Sequence, residues 1–258
     1  MTIHKFQETI YSYYRTHKRA LPWRQTHNPY RILISEVMLQ QTQSVRVIPK
    51  YKEFLKAFPN ARVLTEAPVR DVLSLWQGLG YNRRALLLKR TAEAIVTKHK
   101  GKFPKTYNDL IALPGIGPYT ASAIMAFAYN LPTAMIETNI RAVFIHFFFP
   151  KSKKVPDAKL LPLIEKYMDK ENAREWYNAL MDYGAMLKAT VPNPSRKSKH
   201  HTKQSKFNGS MRQVRGAIIR LYTENPKMSQ SRLVTSLPYK PEVIKIQYKK
   251  LKEEGFFS

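Results

Sequence analysis

The stretch Leu113-Pro-Gly-Ile-Gly-Pro-Tyr-Thr-Ala121 decides the fold of this chain. Two glycines two residues apart, between two helical segments, predict a tight turn that exposes successive backbone N–H groups beside a helix N-terminus. Pro118 suits the first turn of the second helix, where a backbone N–H is not needed. A Gly-x-Gly pair alone is a weak signal, but Leu-Pro before it and Tyr-Thr-Ala after it make it a strong one. The motif therefore predicts two helices joined by a turn whose backbone binds a phosphate oxygen.

The rest of the chain is also helical by its pattern. Apolar side chains recur at three- and four-residue spacing along most of the 258 residues, and no long alternating stretch indicates a sheet. Prolines fall between these segments, where turns and the first turns of helices accept them. Thr106 followed by Asp109 is typical of a helix N-cap with an acidic third residue. The pattern predicts an all-α fold.

The composition changes near Val191. From Lys188 to Arg220 the chain carries nine lysines and arginines and no acidic residue, and the part that starts at Pro192 is typical of an exposed basic loop. Beyond the loop, three short segments with helical spacing, closed by Gly255 as a C-cap, predict a small tri-helical module. A relative of the winged helix is one option for this module.

The formal charge of +26 points to a polyanionic partner, because 44 lysines and arginines stand against only 18 acidic residues. Nucleic acid fits better than a membrane surface, since the sequence shows no amphipathic basic helix and no lipidation signal. The longest apolar stretch, 123–136, is interrupted by Asn130 and Pro132 and is too short to span a bilayer. The absence of cysteine excludes disulfides, zinc-thiolate sites, iron–sulfur clusters and cysteine nucleophiles, and it suits a cytoplasmic protein.

Glu36 is the first candidate catalytic residue. It lies within Ile32-Leu-Ile-Ser-Glu-Val-Met-Leu39, where helical geometry places it among apolar neighbours. A carboxyl held in such surroundings is desolvated, which favours its neutral, proton-carrying form and suits a general acid at neutral pH. On the pattern alone, a glutamate at a helix edge or in a structural ion pair fits equally well.

Glu137 is the second candidate, in Met135-Ile-Glu-Thr-Asn-Ile-Arg141. It begins a new helix after an apolar run, and Asn139 is a candidate cap for that helix. Considered alone, Glu137 is more often a first-turn acid that suits the helix dipole. Paired with Glu36, it suggests a two-carboxylate site of the kind used in glycoside hydrolysis, where an acid assists the leaving group and an anion meets an oxocarbenium-like sugar.

Six collinear stretches cover roughly residues 5–187: Leu21-Pro-Trp-Arg24, Pro29-Tyr30, Ser35-Glu-Val-Met-Leu-Gln-Gln-Thr42, Trp76-Gln-Gly-Leu-Gly-Tyr81, Leu113-Pro-Gly-Ile-Gly-Pro-Tyr-Thr-Ala121 and Met181-Asp-Tyr-Gly-Ala-Met186. Together they resemble the endonuclease III (HhH-GPD) superfamily of helix-hairpin-helix DNA glycosylases. Within it they resemble most the A/G-specific adenine glycosylases of the MutY family.

The resemblance implies roles for residues at the base and in the duplex. Glu36 matches the catalytic glutamate that protonates the leaving adenine. Gln41 and Tyr81 match residues that wedge into the duplex as the base leaves the stack. Asn178 falls where the family often has a glutamine near the adenine pocket, and we assign Arg24 to DNA binding.

The resemblance also implies roles for the hairpin. Gly115 and Gly117 match the phosphate site, which in relatives can also hold a monovalent cation through backbone carbonyls. Tyr119, which we also assign to DNA binding, stands where bifunctional relatives carry a Schiff-base lysine, so plain hydrolysis is implied rather than strand nicking. That chemistry needs no metal, and we expect no cofactor.

Three features depart from the family pattern. Glu137 stands where the family has an aspartate, and one extra methylene moves a carboxylate by about 1 Å, enough to reduce activity if the backbone does not adjust. The four cysteines of the iron–sulfur cluster are missing, with Lys188 at the first expected position. The helical tail 210–258 stands in place of the domain that reads 8-oxoguanine opposite the adenine.

We therefore expect an all-α, two-domain HhH-GPD fold with a small helical C-terminal extension. Residues 24–131 would form a six-helix domain with the hairpin, and 1–23 plus 132–190 a second helical domain, with Glu137 near the cleft between them. Residues 191–209 would be a basic linker and 210–258 the tri-helical module. We expect a monomer in a bacterial-type cytoplasm that binds duplex DNA across the cleft, with Arg196, Lys197 and Lys199 of the basic loop on phosphates. A solvated tether is the alternative for that loop.

The expected reaction is hydrolysis of the N-glycosidic bond of an extruded adenine that was mispaired with G or 8-oxoguanine, the extrusion being easiest at a mismatch. Glu36 would protonate the purine at N7, and Glu137 would stabilise the cationic sugar until water attacks. Two alternatives stay open. One is a glycosylase for thymine or uracil mispaired with G, and the other is a non-catalytic DNA-binding relative whose second carboxylate has drifted.

Overall fold

Helices make up almost all of the regular structure. The computed structural model describes residues 1–204, 206–225 and 227–257. Among these residues there is no strand, and a single parallel bridge joins Val155 to Ser198. The α-helices are α1 (Ile3–His17), α2 (Pro29–Leu39), α3 (Ser44–Ala57), α4 (Ala61–Glu66), α5 (Val69–Trp76), α6 (Arg83–Lys98), α7 (Tyr107–Ile111), α8 (Pro118–Tyr129), α9 (Thr138–Phe148), α10 (Asp157–Tyr167), α11 (Ala173–Thr190), α12 (Met211–Glu224), α13 (Gln230–Ser236) and α14 (Pro241–Glu253). The all-α fold expected from the periodicity is confirmed.

The chain divides into two compact units. The first contains Met1–Leu33, Lys105–Ala112 and Ile116–Lys203. Its core forms around the ring of Phe6, which is completely buried. Five aromatic rings lie with their centroids 5.2–5.8 Å from that of Phe6, and they belong to Phe144, Phe147, Phe148, Tyr167 and Trp176. Because aromatic side chains bury large apolar areas, this cluster joins α1, α9, α10 and α11 into one core.

The second unit contains Ile34–Pro104, Leu113–Gly115 and the described residues from Gln204 onward. Here α6 packs on α4 and α5, and α12 packs on α5 and α14. Trp76, at the end of α5, is completely buried, and its ring centroid lies 6.0 Å from that of Phe54 on α3. Leu251 of α14 and Ile218 of α12 are also completely buried, so the C-terminal helices have a core of their own.

The C-terminal segment has the three helices that the sequence predicts, α12, α13 and α14. Gly255, with φ +88°, follows α14 in the left-handed region, and Phe256 N donates to Leu251 O at 3.0 Å, as in a glycine C-cap. The described residues of this segment form no β-hairpin and thus no wing, so they lend the winged-helix option no support.

The units differ from the domain boundaries expected from the sequence. Residues 116–131 group with the N-terminal helix, whereas the sequence analysis places 24–131 in one domain. Contacts within one conformation do not decide which segments fold together, and the expected boundaries stay a prediction. Among the residues described, no helix is both long and apolar enough to cross a membrane.

Candidate functional site

The hairpin has the geometry that its glycines predict. Thr106 caps α7 by accepting a hydrogen bond from Asp109 N at 3.2 Å, and α8 begins at Pro118. Between them Gly115 has φ +81°, and a Cβ on it would lie 2.8 Å from Leu87 Cβ. Gly115 is therefore required both by its backbone conformation and by the close approach of a side chain. Gly117 is the N-cap residue of α8, and the assignment of Gly115 and Gly117 to a phosphate stays a prediction.

Glu36 lies within a helix that is buried on nearly every face. Asn28 Oδ1 accepts from Tyr30 N at 3.0 Å and from Arg31 N at 3.2 Å, which starts α2. From Ile32 to Met38 every residue of α2 is buried, and Glu36 is only 5% exposed. The burial expected for Glu36 is confirmed, and its side chain is removed from bulk solvent. A carboxyl there can deliver a proton without competition from water.

Glu137, and not Asn139, caps the helix that follows it. Its backbone is extended, with φ −140° and ψ −178°, and its side chain folds back over the first turn of α9. Oε1 accepts from Asn139 N at 2.7 Å and from Ile140 N at 2.9 Å. Oε2 accepts from Asn139 Nδ2 and from Thr138 Oγ1, each at 3.1 Å. The expectation that Asn139 caps the helix is therefore wrong, because the longer glutamate side chain reaches the two amides itself.

This arrangement fixes the negative charge of Glu137 in place. Both carboxylate oxygens have donors, and the positive end of the α9 dipole lies beside them. Compared with an aspartate, Glu137 has one more methylene, and this allows its side chain to fold back to the backbone amides of Asn139 and Ile140. Glu137 remains half-buried, so part of its side chain is accessible.

Gly184 holds α11 close to the first turn of α9. A Cβ on Gly184 would lie 2.3 Å from Asn139 O, a distance that no real Cβ accepts. The glycine within Met181-Asp-Tyr-Gly-Ala-Met186 is thus explained by a backbone approach at the residue pair that Glu137 caps. Any larger side chain must push the N-terminus of α9, and with it the carboxylate of Glu137.

Arg24 has a structural role. Its Nη1 and Nη2 donate to Asp182 Oδ2 and Oδ1, each at 2.7 Å, and its side chain is only 10% exposed. Arg19 contributes its backbone N–H to Asp182 Oδ2 at 3.0 Å. Burial raises the pKa of Asp182, but the hydrogen bonds and charges of Arg24 and Arg19 outweigh it and hold the pKa below its ordinary value. This geometry does not support the expected DNA contact of Arg24, because its guanidinium is committed to a buried carboxylate.

Gln41 and Tyr81 share an uncommon backbone conformation. Gln41 has φ +54° and Tyr81 has φ +49°, and Gly78 and Gly80 precede Tyr81 with φ +90° and +71°. Side chains disfavour this left-handed region, and such strain is often found at functional positions. The two residues that the resemblance assigns to the DNA wedge share this conformation with Lys100 and Asn130.

Arg84 hydrogen-bonds to both of the loops that contain these residues, the one after α2 with Gln41 and the one before α6 with Tyr81. Its Nη1 donates to the carbonyls of Val37 at 2.6 Å and Met38 at 3.0 Å, at the end of α2. Its Nη2 donates to Thr42 Oγ1 at 3.2 Å, and to two carbonyls of the other loop, Leu79 O at 3.2 Å and Gly80 O at 2.9 Å. Burial lowers the pKa of Arg84 to about 10, which leaves it charged at neutral pH.

The sequence analysis missed Arg84, although a signal was present. Arg84 lies four residues before Leu88 and seven before Thr91, and all three are on the buried face of α6. An arginine at an apolar position of a helix needs internal partners. The second miss is the contact of Tyr81 with Gln204 and Arg212, for which no local pattern exists.

The basic loop is only partly exposed. Val155 N donates to Lys197 O at 2.7 Å, and Lys199 N donates to Val155 O at 2.8 Å, so the start of the loop is paired with the chain before α10. Lys197 Nζ donates to Pro150 O at 2.6 Å. The side chains of Arg196 and Lys199 are exposed, and these two remain candidates for phosphate contacts. The expectation of an exposed basic loop holds for Arg196 and Lys199 but not for Pro194, Ser195 and Ser198, which are buried.

Tyr119 is half-buried and lines a cavity of about 480 Å³ together with Tyr107, Ser122, Met135 and Glu165. Asn178, on α11, is predicted to lie at the base pocket. Its side chain is only 7% exposed, so little of its surface is accessible in this conformation.

Within the described part of the chain, no group of three or more histidine, aspartate or glutamate side chains is arranged to hold a metal ion.

The comparisons with known proteins identify the family. The model of a family described as HhH-GPD superfamily base excision DNA repair protein matches residues 34–165, roughly half of the chain. This chain belongs to the HhH-GPD superfamily. The match includes the hairpin, Glu36, Gln41, Tyr81 and Glu137.

Two of the similar curated proteins have different names. The chain is 39% identical over 189 residues to the adenine DNA glycosylase of Buchnera aphidicola subsp. Baizongia pistaciae (strain Bp), a match that covers 72% of this chain and 54% of the relative. It is 34% identical over 152 residues to the thymine/uracil-DNA glycosylase of Pyrobaculum aerophilum, covering 58% and 66%. The chain spans about half the length of the first curated relatives it matches.

A solved structure confirms the HhH-GPD architecture. It is described as a thermostable thymine-DNA glycosylase, and it superposes with a TM-score of 0.64 at 26% identity. The similarity covers 71% of this chain and 86% of that one.

The iron–sulfur cluster of HhH-GPD relatives does not fit this chain. The sequence contains no cysteine, so no thiolate is available to bind iron. Lys188, at the first expected ligand position, lies in the last turn of α11. Burial lowers the pKa of Lys188, although the charge of Glu137 acts in the opposite direction. A lysine does not replace a thiolate as a ligand of a cluster iron.

Proposed function

We propose that this chain is a monofunctional DNA glycosylase that hydrolyses the N-glycosidic bond of an adenine mispaired with G or 8-oxoguanine. The observation that carries the proposal is Glu137, a carboxylate held by four hydrogen bonds at the N-terminus of α9. A fixed negative charge of this kind can stabilise an oxocarbenium-like sugar. The names of several relatives at 34–39% identity support adenine as the base.

Glu36 supplies the proton in this mechanism. Adenine is a poor leaving group as an anion, and protonation at N7 lets it depart neutral when the C1′–N9 bond breaks. The carboxyl of Glu36 is buried in α2, where it has no competition from bulk water. A water molecule then forms the new C1′–O bond and loses its proton to a carboxylate. The proposed steps use the two glutamates and water, with no metal or other cofactor.

Duplex DNA with a mismatched pair is the proposed partner. The charge of +26 supplies a long-range attraction to phosphates. The backbone of Gly115 and Gly117 and the exposed side chains of Arg196 and Lys199 are the proposed phosphate contacts, and a monovalent cation at the hairpin is a further option. We propose a monomer that works in the cytoplasm at bacterial DNA.

Tyr119 supports hydrolysis without strand nicking. It stands in the first turn of α8, where a bifunctional enzyme would need an amine to form a Schiff base. We expect borohydride to trap no covalent protein–DNA adduct with the wild-type chain. The Tyr119→Lys variant, tested beside it, shows whether an amine at this position reaches the sugar. A strong wild-type adduct would contradict the proposal unless another lysine were identified as its source.

A second candidate is supported by the thymine/uracil-DNA glycosylase and by the thymine-DNA glycosylase structure. The same fold would then release a pyrimidine mispaired with G, and Glu36 would matter less, since no purine N7 needs a proton.

Base-release assays on a panel of duplexes separate the candidates. The panel contains A opposite G, A opposite 8-oxoguanine, T opposite G, U opposite G and a fully paired control, each measured under single-turnover conditions. Release of adenine alone supports the proposal. Release of thymine or uracil supports the second candidate. Mismatch binding without any release would identify a non-catalytic DNA-binding relative.

A further inference from the structure

Tyr81 is held by the C-terminal helices. Arg212 Nη1 donates to the Tyr81 hydroxyl at 3.0 Å, and the Arg212 guanidinium carbon lies 5.6 Å from the centroid of the Tyr81 ring. Gln204 Nε2 donates to the same hydroxyl. A hydrogen bond and a cation–π contact from one arginine restrict both the position and the tilt of the ring.

The backbone and the side chain of Tyr81 have separate supports. Arg84 donates to Leu79 O and Gly80 O, so it fixes the strained backbone just before Tyr81. Its guanidinium carbon is 5.7 Å from the Tyr81 ring centroid. Arg212 comes from a segment 131 residues away in the sequence and contacts the ring and the hydroxyl. A loop that needed only a defined backbone would be complete without Arg212.

The C-terminal helices are docked firmly enough to position Arg212. Helix α12 packs on α5, whose last residue, Trp76, is completely buried. Arg90 Nη2 of α6 donates to Glu254 O at 3.0 Å, beyond the end of α14. Within the module, Arg215 Nη2 lies 2.8 Å from Glu254 Oε2. These contacts are separate from the Tyr81 loop, so they can hold α12 in place when Arg212 is changed.

The position of Arg212 is unfavourable for its own helix. It is the second residue of α12, and the first turn contains no acidic side chain. A cation at a helix N-terminus opposes the helix dipole. The hydrogen bond and the cation–π contact with Tyr81 are interactions that offset this cost.

We propose that Arg212 is a positioning residue that sets the orientation of Tyr81, so that the C-terminal helices take part in engaging the mismatched pair. The inference rests on the proposed function, in which Tyr81 enters the duplex. It assigns to the module 210–258 a task at the base pair and makes it more than a tether. Arg212 itself touches no reacting atom.

A double-mutant cycle tests the proposal with the full chain. The variants are Arg212→Ala, Arg212→Lys, Tyr81→Leu and the combination of Arg212→Ala with Tyr81→Leu. Arg220→Ala is the matched control, because Arg220 is an exposed arginine of the same helix. The readouts are the ratio of affinities for mismatched and fully paired duplexes, the single-turnover release rate, the salt dependence of binding and the thermal midpoint.

We expect Arg212→Ala to lower the mismatch preference by about three- to tenfold, the range of one cation–π contact with its hydrogen bond. Arg212→Lys should recover part of this loss, since lysine keeps the charge but lacks the planar fork. With Leu at position 81, removal of Arg212 should change the preference by less than about twofold, because coupled residues do not add. Arg220→Ala should leave the preference unchanged.

Three results would overturn the inference. If Arg212→Ala lowers affinity for all duplexes alike, reduces the salt slope and acts equally with Leu at position 81, Arg212 is a phosphate contact. If it raises the affinity or the release rate, the contact restrains Tyr81 and is autoinhibitory. If neither Arg212→Ala nor Arg212→Lys changes the mismatch preference or the release rate, the contact has no role. A wild-type chain that binds mismatches but releases no base refutes the proposed function alone, because the binding preference still reports on Arg212.

Discussion

Glu36 and Glu137 are the same residue type in opposite surroundings. Glu36 lies in the middle of a buried helix and is 5% exposed. Glu137 lies at the start of a helix, half-buried, with both oxygens hydrogen-bonded and the helix dipole directed at it. The first side chain is withdrawn from solvent, and the second accepts four hydrogen bonds at a helix N-terminus. In the proposed mechanism these two surroundings serve a proton donor and an anion, the division of labour that glycoside hydrolysis needs.

The largest expected effect comes from a substitution of Glu36, the proposed acid. Glu36→Gln keeps the size and hydrogen-bonding reach of the side chain but removes the transferable proton. We expect single-turnover base release to fall by at least about 10²-fold, with mismatch binding nearly intact. Glu53→Gln is the matched control, since Glu53 belongs to the same unit, is exposed and pairs with Lys50 on α3. Wild-type rates in Glu36→Gln would remove Glu36 from the mechanism.

A change at Glu137 tests charge and position separately. Glu137→Gln removes the charge, and it also places an amide donor next to Thr138 Oγ1 or Asn139 Nδ2. We expect about 10²-fold slower release, in the range for loss of one electrostatic stabiliser. Glu137→Asp keeps the charge and a good capping residue but withdraws the carboxylate by about 1 Å. We expect base release to be roughly tenfold slower than in the wild-type chain. Faster release with Asp than with Glu would show that the longer side chain is a handicap.

Gly184→Ala should disturb the position of Glu137 and leave Glu36 unchanged. The new Cβ would meet Asn139 O, and the displacement of α9 should cost about 1–3 kcal/mol of stability and move Glu137. Gly216 is the matched control, a helical glycine with nothing within 4 Å of its Cβ position. Gly216→Ala should be neutral or stabilise by about 0.5–1 kcal/mol. Urea unfolding and release rates of both variants decide whether the close approach at Gly184 positions the carboxylate.

The smallest expected effect comes from substitutions in the basic loop, which change neither Glu36 nor Glu137. Replacing Arg196 and Lys199 by alanine should weaken binding to all duplexes and reduce the slope of log affinity against log salt by about 0.9 for each lost phosphate contact. The preference for a base should not change, because phosphate contacts do not read sequence. Lys197→Ala is the control, since its ammonium is bound to Pro150 O. An unchanged slope in the double variant would show that the segment is a tether.

Much of the fold was predictable because it depends on local rules. The helical spacing, the cap at Thr106 and the C-cap at Gly255 require only neighbours in sequence, and each is confirmed. The burial of Glu36 follows from its position in an apolar helix, which is also a short-range property. The cap of α9 was assigned to the wrong residue because residue preferences favour Asn over Glu, while the side-chain path of Glu137 decided otherwise.

The sequence by itself determined the helices, the glycine turn between α7 and α8, the buried glutamate and the excess of positive charge. Only the tertiary structure decided which cations are committed to partners inside the protein. Arg24 binds Asp182, Arg84 binds two loops and Arg212 binds Tyr81, whereas Arg196 stays exposed. Arg84 had a local signal in its place on the buried face of α6, but for Arg24 and Arg212 no local pattern makes this choice, because each partner is distant in sequence. A guanidinium turns inward only where packing brings enough acceptors together to replace the water it loses.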